Sequence, residues 1–394
     1  MAAFPTYAPA FRLRINGDEL PAAVRSTITS VRYQDGHNAA DRVEVGFANP
    51  DLRWLQSHIR GLGFQPFPSA VRIGPLGAVA AAPPGTFDID NTLELAIGYA
   101  PDPPEELFIG DVTGVQVSFP AGGMPTLSLV AHDRLQRLSQ GAPSRGFGFV
   151  PDAIVAAILG AENLLVPAID PAVVAASTVK QALMILFAGA GGVRQTGESN
   201  LVLLQRIAAE YDADFWVEGD VLYLSRFIKE YTPRLALTWG ESLIDFSPRM
   251  STVGQVAAVA MRFTLREIPL TFVVTVFWDF DRESVGISIV PGAAAGKAGI
   301  GGPALTIIDR PIRTPADVAA NALVIYRKLR EKLNTRLTGS GSAMGDPRIR
   351  AGAVIRLEGL GPDFSGDYRV KSATHSIDGG GYRTSFEVFK EILP

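Results

Sequence analysis

The chain has 394 residues, 47% of them hydrophobic and 19% charged, with a net charge of −4. It is too long for one core and too apolar for disorder, so two to four domains are expected, and its low charge leaves neutral surface suited to burial in an assembly. With no cysteine, structural disulfides and thiolate metal sites are excluded.

The N-terminus carries no basic stretch followed by an apolar core, so no secretory signal is expected. The weakly charged stretch 147–177 is broken by Pro151, Asp152, Glu162, Pro167, Asp170 and Pro171. It cannot supply the roughly 20 apolar residues of a membrane helix. A soluble chain made in the cytoplasm, with no membrane partner, is the expectation. The 40 glycines and 28 prolines follow no collagen-like period and punctuate short strands, as in barrels and sandwiches.

The first 130 residues alternate as strands do. Phe11, Leu13 and Ile15 share one face, and Asn16-Gly17-Asp18 turns the chain. Ile28 to Tyr33 is a second strand. Val43, Val45 and Phe47 alternate with Arg42, Glu44 and Gly46, and Leu93, Leu95 and Ile97 repeat the pattern. Leu107 to Phe119 and Thr126 to Ala131 complete about six strands, a β-barrel pattern. Gly61 to Pro84 reads as a long Gly/Pro/Ala loop.

From about Arg134 the pattern mixes helix and short strand. Pro151-Asp152 opens a short helix through Ile154, Val155 and Ile158, and Gly160 is expected to stop it. A second helix is expected over Thr178–Phe187, ended by Gly189-Ala190-Gly191-Gly192. The most informative unit follows. Ser199 caps a helix whose face is Leu201, Leu204, Ala208 and Tyr211. Phe215-Trp216-Val217 and Val221 to Leu224 then form a hairpin about Glu218-Gly219-Asp220. It holds no nucleophile beside a base, so it reads as a packing and docking element.

After Pro233 the β pattern returns in Leu235–Trp239, Val256–Leu265 and Thr271–Trp278, followed by a Gly/Ala loop over 291–302. Thr314-Pro315-Ala316-Asp317 is a capping-box variant opening a long helix, 315–334, with the stripe Val318, Ala322, Ile325, Tyr326, Leu329 and Leu333. Arg327, Lys328, Arg330 and Lys332 suit its C-terminal end. The tail is β: Ala353–Leu357, Tyr368–Ile377 and Tyr382–Phe389, with turns at Asp363-Phe364-Ser365-Gly366 and Gly379-Gly380-Gly381.

In order, Phe108-Ile109-Gly110-Asp111-Val112 with Phe119-Pro120, then Ala131-His132-Asp133-Arg134-Leu135, the 199–224 helix–hairpin, Phe364 to Val370, His375-Ser376-Ile377 and Gly381 to Phe386 span nearly the whole chain. This set resembles the phage late control protein D family, the baseplate hub of contractile tails. It is similar also to the hub region of the type VI secretion spike, the valine-glycine repeat protein. The resemblance implies a mainly β fold with two tail-tube-like barrels, 1–134 and 233–394, separated by an α+β insertion, 135–232. It further implies a homotrimer of pseudo-sixfold symmetry joining a hexameric inner tube to a trimeric spike among other baseplate proteins. The chain stops at Pro394 with no oligosaccharide-binding domain or needle repeat after it, so a separate spike protein is the expected partner. The particle is expected to be a phage tail or an injection machine.

No catalytic, cofactor-binding or metal-binding residue is expected. The four histidines, 37, 58, 132 and 375, lack metal-ligand spacing. His132-Asp133 reads as a structural turn rather than a base and its orienter, and His375 as packed or solvated. Gly189-Ala190-Gly191-Gly192 lacks the Lys-Ser/Thr of a phosphate loop. Asp88, Asp90, Glu94, Asp102, Glu105 and Glu106 are too widely spaced for a calcium loop and read as a solvated or partner-facing edge. The basic run Arg327 to Arg336 alternates with apolar residues, so specific nucleic-acid binding is not expected. The competing classes are a tail-borne peptidoglycan hydrolase, which needs paired carboxylates in a cleft, and a carbohydrate-binding adhesin. The adhesin would carry aromatics in loops, whereas Phe215, Trp216, Trp239, Phe277 and Trp278 fall in expected strands.

Overall fold

The computed structural model describes residues 8–48, 86–188, 192–211, 213–225, 232–250, 258–265, 270–279, 284–291, 304–312, 329–330, 333–334 and 336–391. The loop expected at 61–84, His58, Gly189 to Gly191 and the cap and first part of the 315–334 helix lie outside them. Leu329 and Leu333, the last two residues of the expected stripe, are buried.

The N-terminal strands are β1 (Ala8–Ile15), β2 (Asp18–Glu19), β3 (Ile28–Gly36), β4 (Arg42–Ala48), β5 (Thr92–Ala100), β6 (Glu105–Ser118) and β7 (Thr126–Asp133). They lie in the order β3-β4-β7-β6-β5-β1-β2. Alternation drives the arrangement: Val43, Val45 and Phe47 are fully buried, as are Leu93, Leu95 and Ile97. Leu13 and Ile15 of β1 join the same buried cluster as Val31 and Tyr33 of β3, so the sheet curls around one core. Burying each large apolar side chain contributes roughly 1.5–3 kcal/mol before entropy costs.

The middle segment contains β8 (Arg145–Gly146), β9 (Val166–Ile169), β10 (Arg194–Gln195), β11 (Asp214–Glu218) and β12 (Val221–Ser225), with helices at Asp152–Glu162, Pro171–Ala188 and Asn200–Tyr211. A second core forms here, including Leu135, Val155, Leu159, Leu204, Phe215 and Leu224. Ser199 caps the third helix as expected, its Oγ accepting from Val202 N at 3.3 Å. The buried face of that helix is Leu203, Leu204, Ile207, Ala208 and Tyr211, with Leu201 only partly buried.

Two expected helix limits are corrected. The first helix runs through Gly160 to Glu162, because Gly160 is a point of close approach: a Cβ there would sit 3.1 Å from Leu222 Cδ2. Within that helix Val155 is buried and Ile154 is exposed. The second helix starts at Pro171 rather than Thr178, because Asp170 Oδ1 accepts from Ala172 N at 2.8 Å and caps it.

The remaining strands are β13 (Leu235–Thr238), β14 (Leu243–Met250), β15 (Ala258–Leu265), β16 (Leu270–Asp279), β17 (Ser284–Pro291), β18 (Ala304–Ile312), β19 (Leu337–Met344), β20 (Val354–Glu358), β21 (Gly366–Asp378) and β22 (Gly381–Phe389). Strands β14-β19-β22-β21 continue the N-terminal sheet through a β21·β3 pairing, and β20 and β13 attach at the other half of β21, making 13 strands in one sheet. Leu237 of β13 and Leu243 of β14 share a third core with Ile355, Tyr368, Phe386 and Val388, so this half also curls. Strands β15 to β18 form a separate four-stranded sheet in the order β17-β16-β15-β18. Met250 and Leu337 are register partners of antiparallel β14 and β19, so residues 251–336 leave and rejoin the large sheet at adjacent points.

Candidate functional site

The two curled halves meet where Val31 to Gly36 of β3 pair antiparallel with Ser372 to Ile377 of β21. Strand β21 changes partner along one edge: Gly366 to Arg369 pair with β20. Its register against β22 shifts between Val370 and Ser372. The bulged Lys371 therefore flips the inward set from even to odd positions, from Tyr368 and Val370 to Ala373, His375 and Ile377. Behind the pairing lies a buried polar network built from both halves.

Parity places Tyr33 and Asp35 of β3 inward with Val31. The Tyr33 hydroxyl donates to Asp41 Oδ2 at 2.8 Å, and Gly36 N donates to Asp41 Oδ1 at 3.0 Å. From the other half, Arg350 reaches across the seam. It donates to Tyr33 Oη at 3.2 Å, Asp35 Oδ2 at 3.4 Å and Leu107 O at 3.3 Å, and Ala351 N donates to Asp35 Oδ2 at 2.9 Å. Burial works against the Arg350 charge, but Tyr33, Asp35 and Asp41 raise its pKa. Tyr99 Oη adds a further crossing bond, donating to Gly345 O at 2.9 Å.

His375 is fully buried and stacked on Tyr33, with ring centroids 5.7 Å apart. Its Nε2 lies 3.0 Å from Ile349 O, which can only accept, so Nε2 carries the proton. Nδ1 then accepts, with Tyr382 Oη at 2.8 Å and Thr384 Oγ1 at 3.1 Å. Burial pushes the His375 pKa down to about 4, which fixes the neutral ring at neutral pH. Asp133 caps the turn after β7, its Oδ1 accepting from Leu135 N at 3.0 Å. Burial raises its pKa to about 7, and burial with Asp35 and Asp133 nearby raises Asp41 well above the carboxylate range. Such groups are sequestered, so the network locks two surfaces in register and offers no reacting atom to solvent.

Of the residues singled out in the sequence, His375 is packed and Asp133 is a structural cap. His132 Nδ1 lies 2.7 Å from Thr113 Oγ1 on the outer face of the sheet, apart from the network. An open cleft of about 380 Å³ is lined by Asp90, Asp111, Thr113, Arg137, Glu162 and Leu164, among others. Its Asp111 is held bidentately by Arg137 at 2.7 and 3.0 Å, and Glu162 by Arg145 at 2.7 Å. The acidic residues do not converge: Glu94 faces Arg14 at 3.8 Å, and Asp102, Glu105 and Glu106 are exposed near the β5–β6 turn. Among the described residues no group of three or more His, Asp or Glu could hold a metal, and no helix is long and apolar enough to cross a membrane. Of the basic run, Arg330 pairs with Glu391 at 3.5 Å. Phe215 is buried, but Trp239, expected within a strand, lies just past β13 and is 60% exposed.

A second junction holds the middle segment to the N-terminal sheet. Asn38, at φ +63° in the β3–β4 turn, donates its backbone N–H to Phe215 O at 3.0 Å and accepts from Phe215 N at 3.1 Å through Oδ1. Its Nδ2 donates to Asp214 Oδ1 at 2.9 Å. Arg134 and Asp220 add an ion pair.

Comparison with solved structures is decisive for the fold. The chain superposes over 97% of its length on 98% of the 43 kDa tail protein of prophage MuSo2 from Shewanella oneidensis, with TM-score 0.60 and 13% identity. The fold is that of phage tail proteins. A tail protein from Neisseria meningitidis MC58 shares it over 98% of this chain and 97% of that one, with TM-score 0.58 and 12% identity. So does an E. coli component of the type VI secretion system, itself described as similar to the bacteriophage T4 tail proteins gp27 and gp5. There the coverage is 97% of this chain and 80% of that one, with TM-score 0.53 and 12% identity. The tail-protein fold thus extends to secretion machinery at identities too low to carry residue roles across. No family model matches the sequence, and no curated protein matches it.

Proposed function

We propose that the chain is a structural, non-enzymatic baseplate hub of a contractile tail or injection machine. Residues 1–134 and 233–394 are two tube-like barrel modules, and 135–232 is the insertion between them. Three copies close a pseudo-sixfold ring, which meets the hexameric inner tube on one side and a separate trimeric spike protein on the other. The observation that carries this reading is the single 13-stranded sheet divided into two curled halves, each with its own core, joined edge to edge at β3·β21. Such a chain presents two comparable modules per copy, which is what a threefold object needs to match a sixfold one. The match of nearly the whole chain to tail proteins supports it.

The test is light scattering after size exclusion, on concentrated protein with and without its tube and spike partners. A trimer with the partners present is the expected result. Monomer under every condition would overturn the assembly. A peptidoglycan zymogram should stay blank, and clearing would favour the hydrolase reading.

A further inference from the structure

We propose that the β3·β21 seam is an acid-sensitive joint, closed while His375 is neutral and loosened when its ring takes up a second proton. The inference concerns the chain by itself and does not depend on the hub reading.

The ring is wholly buried and both its nitrogens are engaged in one tautomer. A second proton would arrive at Nδ1, where the closed seam supplies the hydroxyls of Tyr382 and Thr384, while full burial strips the ring of the hydration an imidazolium has outside. The groups facing the ring come from every neighbouring element. Tyr33 and Asp35 lie on β3, Tyr382 and Thr384 on β22, and Asp346 and Arg350 on the 345–353 loop, with Tyr99 and Glu105 behind Tyr382. Asp35 and Asp346 favour the charged ring, whereas Arg350 opposes it and desolvation outweighs them all. Since β21 presents His375 to the N-terminal half, separating the halves is the motion that returns it to water. The buried carboxyls of Asp41 and Asp133 are bonded within the N-terminal half, to Tyr33, Gly36 and Leu135, while Arg350 reaches Tyr33 and Asp35 from the other half; burial holds both carboxyls protonated, so their response to opening is opposite in sign to that of His375.

Hydrogen exchange, corrected for the intrinsic pH dependence of amides, reads the joint directly. If the opened ring has the ordinary histidine pKa, protection of residues 31–36 and 372–377 falls about 20-fold from pH 7 to pH 5. The β4·β7 ladder keeps its protection. In His375→Gln, whose amide keeps a donor for Ile349 O but takes up no proton, the acid-induced fall disappears. Constant seam protection in the wild type, an equal fall in β4·β7, or a fall that persists in the variant would overturn the proposal. If the variant does not fold, the wild-type imidazole carbon resonances decide. The chain has four histidines, so His375 can be assigned. Titration in the folded protein below pH 5 supports the joint, and titration near the ordinary value refutes it.

Discussion

At the residue scale, the seam network combines groups whose pH responses have opposite sign. Asp133 has a folded pKa of about 7, above its unfolded value, through burial. Its contribution to stability is therefore complete below the unfolded pKa and lost as pH rises through about 7. Asp133→Asn keeps an oxygen for Leu135 N without the ionisation. Denaturant melts should show it equal to wild type near pH 4 and more stable near pH 8, by at most about 4 kcal/mol. These residues were legible in the sequence only by parity: Asp35 shares the inward face with Val31 and Tyr33, and Asp133 with Leu127, Leu129 and Ala131. A polar residue at an apolar position signals a buried partner. It does not say which one, and Arg350 lies more than three hundred residues from Asp35, beyond the reach of any local pattern.

At the element scale, strands were the most readable parts, because one buried and one wet face impose a period of two. The six strands expected in the N-terminal region all fall within a few residues of their places, and the short β2 is the addition. Strands β14, β17, β18 and β19 were not foreseen. Asp245, Ser247 and Arg249 alternate on β14 without a continuous apolar partner set, and Leu337 to Met344 is rich in Gly and Ser, so neither shows the usual alternation. The bulge at Lys371 was written in the apolar spacing, which runs Tyr368, Val370 and then Ala373 and Ile377. Deleting Lys371 should restore unbroken alternation and turn Ala373, His375 and Ile377 outward. Thermal or urea denaturation should then report a loss of more than about 3 kcal/mol, while Lys371→Ala stays close to wild type.

At the scale of the whole molecule, length and composition led to an expectation of two to four domains; the described residues hold three cores, and nothing in the sequence showed how they would join. The sheet is continuous because β3 meets β21, a pairing between parts of the chain more than three hundred residues apart, beyond the reach of any local pattern. The same distance argument explains why the Asn38 junction to Phe215 escaped the sequence: an Asn in a turn reads as turn chemistry, and its positive φ serves that role too.

The excursion between β14 and β19 has a practical corollary. A segment that departs and returns at neighbouring Cα atoms, about 5 Å apart, is topologically an insertion: the large sheet's strand order is complete without it, and Arg330 near its end is tied back by Glu391. Replacing 251–336 by an Asn-Gly turn should convert β14 and β19 into an ordinary hairpin. Circular dichroism and exchange protection of the remaining strands should match the parent. Natural variation, or an engineer wishing to graft a new module, would find its docking port between Met250 and Leu337, where cargo can be swapped without rethreading the rest of the chain.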